Sequence, residues 1–103
     1  MHVVEILLPL RHGDGTQVSE AEFTRLRSLL TERFGGLTAF LRAPAEGTWR
    51  NAEVGDVDED EIAVLEVMTE TIDAGWWADF RKDLEERLGQ KEIVIRSHLA
   101  DRL

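Results

Sequence analysis

Twice along this 103-residue chain, a stretch that alternates residue by residue gives way to one that repeats every three or four residues, and then back to alternation. Alternation sends successive side chains to opposite faces of a strand, while the longer period lines them up on one face of a helix. "VVEILLPL", "VSEAEFTRLRSLLTERFGG" and "LTAFLRAP" make the first such series, and "EIAVLEVMTET", "DAGWWADFRKDLEERLGQ" and "EIVIRSHL" make the second. The order is therefore βαββαβ.

Both helices start by one rule. Ser19 and Glu22 have capping-box spacing, and Val18 and Phe23 flank the cap as a hydrophobic staple; Asp73, Ile72 and Trp77 repeat the cap and staple in the second helix. Gly35 or Gly36 stops the first helix by taking the left-handed conformation. The first helix buries the stripe Phe23, Leu26, Leu30 and Phe34, with Leu29 at its edge. In the second, Phe80, Leu84 and Leu88 share an arc with Trp77 well inside it and Trp76 at one edge. The doublet "WW" thus divides into a core residue and an edge residue.

Two βα units joined by a hairpin give the ferredoxin-like fold, an α+β domain in which two helices cover one face of a four-stranded antiparallel sheet. Right-handed crossovers place strands one and three in the centre and strands four and two at the edges. A chain of this length forms one domain, residues 1–103, with one core. The segment from Ala45 to Glu61 is polar and turn-rich apart from Trp49, and reads as a long hairpin connection with a short edge extension around "GTWRN".

The helix-facing positions would be Val4, Ile6 and Leu8, then Leu37, Ala39 and Leu41, then Ala63, Leu65 and Val67, and finally Ile93 and Ile95, all aliphatic. The opposite face would carry Val3, Glu5, Leu7, Phe40, Arg42, Ile62, Val64, Glu66, Met68, Glu92, Val94, Arg96 and His98. A face that met only water would be mainly polar, yet about half of these positions are apolar. A second copy packed sheet to sheet is the economical cover, since twofold homodimers are the commonest oligomers.

Composition narrows the partners. With 12 Lys and Arg against 21 Asp and Glu, the formal net charge is -9, so the field of the molecule repels nucleic acid and anionic membranes. The absence of cysteine excludes thiolate metal sites and a cysteine nucleophile, and no pattern implies a cofactor. Asp56, Asp58 and Asp60 are spaced like the first ligands of an EF-hand loop, but Glu61 and Val67 stand where glycine and glutamate are required, so no metal is expected. "HGDGT" lacks the lysine and spacing of a phosphate loop. The amino-terminal run carries Glu5 and meets Pro9 and Arg11, which makes it a strand instead of a signal peptide and leaves the cytoplasm as the expected location.

Chemistry concentrates on the open face. Glu5 and Glu66 share its parity on adjacent central strands, with Arg96 and Arg42 on the flanking strands and His98 near one end. One reading is a carboxylate pair doing acid/base work, with the arginines holding an anionic substrate and His98 carrying a proton. The other is a set of cross-strand ion pairs that fixes register or a dimer. Trp49, beside Arg50, and Trp76 are candidates for stacking a planar ligand or anchoring a partner, and both residues also suit packing at the edge of a core.

"LTAFLRAPAEGTWR", "VLEVM" and "WWADFRKDLEERLGQKEIVIRS", with the opening strand, resemble an uncharacterised family of small bacterial proteins of about this length. That resemblance implies no activity and no catalytic residue. The element order and half-apolar open face also resemble the dimeric α+β barrel superfamily, which implies a shared fold and embraces small monooxygenases, isomerases and ligand-sensing domains. Two functions are therefore expected to compete: a homodimeric ligand-binding or interaction module built on the open face, and a small metal-free enzyme doing acid/base chemistry on a small organic substrate through Glu5, Glu66, Arg96 and His98.

Overall fold

The computed structural model describes residues 1–42 and 62–103. Trp49, the acidic run containing Asp56, Asp58 and Asp60, and the edge extension around "GTWRN" lie outside the described residues. Among the described residues six elements follow in the expected order: β1 (His2–Pro9), α1 (Glu20–Phe34), β2 (Thr38–Arg42), β3 (Ile62–Thr69), α2 (Ala74–Leu88) and β4 (Ile95–Leu99). The four strands form one antiparallel sheet in the order β2-β3-β1-β4, so the fold is ferredoxin-like with β1 and β3 central.

The caps fall where the sequence puts them. The Ser19 side chain accepts from the Glu22 N–H at 3.2 Å and Asp73 Oδ1 accepts from the Trp76 N–H at 3.1 Å, each relieving an orphan donor of the first turn. Gly35 and Gly89 end the two helices at φ of 80° and 60°, the left-handed region that glycine enters without a Cβ penalty. Glu22 is held by the guanidinium of Arg25 at 2.8 Å and faces Arg87 of α2 at 3.8 Å, while Arg33 at the other end of α1 faces Asp73 at 3.7 Å. These cross-pairs make the helices antiparallel neighbours. The hydrogen bond from Arg25 holds the Glu22 carboxyl below its ordinary range.

Between helices and sheet lie Val4, Ile6, Leu8, Leu26, Leu30, Ala63, Leu65, Val67, Trp77, Phe80, Leu84, Leu88 and Ile93, all buried. Leu37, just before β2, and Ile95 of β4 pack against this core. Ala39 departs from expectation and is exposed. It sits on edge strand β2, where its small side chain leaves a groove against Phe23 and Thr24 of α1.

The turn between β1 and α1 is pinned to the far end of α2. Its Gly13 N–H donates to the Leu88 carbonyl at 2.9 Å, and the Gln90 amide donates to the Arg11 carbonyl at 2.9 Å. Within the turn Asp14 Oδ1 accepts from both the N–H and the hydroxyl of Thr16, which holds the Asp14 carboxyl below its usual value. "HGDGT" is thus an Asx turn closed by its own aspartate.

Candidate functional site

Strand pairing sets the open face in rows. Thr38, Glu66, Glu5 and Arg96 stand side by side across β2, β3, β1 and β4. One neighbouring row runs Met68, Val3, His98; on the other side Phe40, Val64 and Leu7 form an apolar row, and the Leu7 N–H donates to the Val94 carbonyl to extend it. A charged row is therefore flanked by apolar side chains.

Glu5 is its centre. Its side chain is only 14% exposed, and Oε1 accepts from Arg96 Nε at 3.2 Å and lies 3.9 Å from His98 Nδ1. A charge-assisted bond of this kind holds the carboxylate while leaving its second oxygen to other donors. Backbone bonds at Met1 to Ala100 and from Leu7 to Val94 show that odd residues of β1 point their N–H and C=O groups at β4, so Glu5 and Glu66 form a non-hydrogen-bonded pair, the closest cross-strand geometry. Like charges in that position repel. Among the described side chains, which do not include that of Arg42, no lysine or arginine stands within ion-pairing distance of Glu66.

The expected residues thus divide. Glu5, Arg96 and His98 are brought together, Glu66 is adjacent, and Arg42 stands opposite Ile62 in the pairing of β2 with β3. Trp76 is half-buried on the helix layer, its ring stacked on Phe80 at 5.2 Å and edge-on to Phe34 at 5.4 Å, with the Arg33 guanidinium 4.2 Å from its centroid. A planar ligand on Trp76 must compete with Arg33. Thr38, which completes the row beside Glu66, carries no signal in the sequence because register is decided by pairing and not by pattern.

Apolar exposure on this face is real but localised. Val64 and Val3, outward by parity, are 0% and 7% exposed, whereas Phe40 is 41% and Met68 52% exposed. The described concavities lie elsewhere: a groove of about 290 Å³ between α2 and β4, one of about 390 Å³ between α1 and β2, and one of about 300 Å³ near Met1 and Arg102. Glu5, Glu66 and His98 line none of these three. Among the described residues there is no group of His, Asp or Glu that could hold a metal, and no helix is long and apolar enough to cross a membrane.

The fold and the open face define a small α+β domain of ferredoxin-like architecture. Neither a scan of protein-family models nor a search of curated proteins finds a match. Among solved structures, the chain is similar to a phage SAM lyase in complex with S-methyl-5'-thioadenosine, with a TM-score of 0.58 and 15% identity over 94% of this chain and 79% of that one. At that identity the likeness is one of fold.

Proposed function

We propose that the chain is a small-molecule-binding module that works as a homodimer, its open sheet face closed by a second copy and its polar centre formed by Glu5, Arg96 and His98 with Glu66 beside them. The observation that carries this reading is the charged row itself: two carboxylates at closest cross-strand approach, one paired to Arg96, between apolar rows ending in the exposed Phe40 and Met68. In a twofold contact each copy's Arg96 can approach the other's Glu66, which turns an unfavourable pair into an isologous ion-pair set. A ligand held there needs hydrogen-bond donors for the carboxylates and a flat or apolar body for the flanking rows. The ligand of the fold neighbour has both, in ribose hydroxyls and a purine amine beside a thioether, which supports a thioether nucleoside as the class to test first.

Calorimetric titration with S-methyl-5'-thioadenosine provides the test. Saturable binding to the native chain is expected, weakened about 10- to 100-fold by Glu5→Gln, the range for losing a hydrogen bond to a charged group. Equal affinity in the two proteins removes Glu5 from the site, and no heat with either excludes this ligand class. The proximity of His98 Nδ1 to Glu5 favours a second reading, acid/base catalysis on the bound molecule. Turnover whose pH dependence changes in His98→Asn or Glu66→Gln would support it, and binding without turnover would leave the module reading alone.

A further inference from the structure

The outer edge of β4 offers a different surface. Because Met1 and Ala100 exchange backbone bonds and Leu7 donates to Val94, the even residues of β4 point at β1 and Ile95, Ser97 and Leu99 point their N–H and C=O groups outward. The Ile93 N–H one step earlier is taken by the Glu85 carboxylate at 2.9 Å, so among the described residues the run without a backbone partner begins at Ile95. An edge of this kind is a template for another strand, and proteins usually blunt such edges with charge, proline or a bulge. Here the side chains on the helix side of the edge are Ile95, Ser97 and Leu99, without charge, and Leu99 is 73% exposed.

Beside this edge, on the helix side, runs the groove of about 290 Å³ whose lining includes Ile72, Ala74, Trp77 and Ile95 together with Arg81 and Arg96. We infer that β4 pairs antiparallel with β4 of a second copy about a twofold axis at Ser97, extending the sheet across both copies. The register is self-complementary: Ser97 meets its own counterpart and Ile95 meets the partner's Leu99, so every outward N–H and C=O of the run finds an acceptor or donor. Residues directly opposite lie on the same face, so each exposed Leu99 enters the partner's groove beside Ile95, Ile72 and Trp77. On the other face Arg96 comes opposite the partner's His98, with the Glu5 carboxylate of each copy supplying the countercharge. The contact uses none of the exposed apolar side chains of the open face and does not depend on the ligand reading above.

Amide hydrogen exchange of the native chain at high and low concentration reads the edge directly. Exchange at Ile95, Ser97 and Leu99 is expected to slow about tenfold or more at high concentration relative to dilute protein. Ser97→Pro, which removes a donor that points away from β1, and separately Leu99→Glu should abolish that slowing and halve the assembly mass in sedimentation, with circular dichroism unchanged. If Ser97→Pro does not fold, Leu99→Glu at an already exposed position carries the test. Fast exchange of the three amides at every concentration overturns the inference, as does a mass unaffected by Leu99→Glu, or edge protection that arises only when an unrelated peptide is added.

Discussion

Trp77→Ala is expected to remove most of the stability of the domain. Trp77 is 8% exposed, its ring stacked on Phe34 at 5.3 Å and edge-on to Phe80 at 5.5 Å and to Trp76 at 4.8 Å. Burying an indole removes on the order of 200 Å² from water, worth about 5 kcal/mol as an upper figure. Aromatic-to-alanine changes in cores cost about 3–5 kcal/mol, against a total stability of about 5–15 kcal/mol for a small domain. The four rings bridge both helices, so truncating one loosens the contact between α1 and α2 as well as that with the sheet. A thermal melt should show the midpoint lower by on the order of 15–30 °C, or no cooperative transition at all. A shift of only a few degrees would mean that the aromatic layer collapses around the gap.

Gly13→Ala is expected to be the second most damaging change, and for a reason unrelated to the core. A Cβ at this position would lie 2.0 Å from the Gly89 carbonyl oxygen, and both partners are backbone, so no side-chain rotation relieves it. The turn must lift from the end of α2, which breaks the bond from Gly13 to Leu88 and strains that from Gln90 to Arg11. Losing these bonds and the close approach should cost about 2–4 kcal/mol. Gly36→Ala is the control, because nothing lies within 4 Å of its would-be Cβ and its φ is not positive. Urea denaturation should separate the two by more than about 1.5 kcal/mol. Equal midpoints would show that the turn does not dock on α2 in solution.

The fold was legible because its signals are local. Caps at Ser19 and Asp73, the glycine stop at Gly35 or Gly36, and the switch between periods of two and 3.6 all act within a few residues, and the βαββαβ order then leaves one right-handed sheet arrangement. The contact between Gly13 and Gly89 was invisible for the opposite reason, since two glycines far apart in sequence carry no pattern that pairs them. Ala39 shows the limit of parity: alternation assigns a face, while burial on an edge strand also depends on which helix reaches it. Val64 shows the same limit from the other side, being outward by parity and yet buried.

The candidate site lay between these extremes. Parity placed Glu5, Glu66, Arg96 and His98 on one face, but only register made Glu5 the opposite number of both Glu66 and Arg96, and register is a property of pairing. The outward edge of β4 could not be read at all without the backbone bonds at its two ends, which decide whether odd or even residues point outward.

Association through the open face is the central claim, and Phe40→Lys tests it most directly by sedimentation equilibrium over a dilution series. Phe40 is already 41% exposed, so a lysine there leaves the fold intact while placing an unpaired charge in the proposed contact. The native chain should sediment as a reversible multiple of the single-chain mass at high micromolar concentration, and Phe40→Lys should halve that mass. A native chain of single-chain mass at every concentration, or an assembly that Phe40→Lys leaves unchanged, would contradict the account.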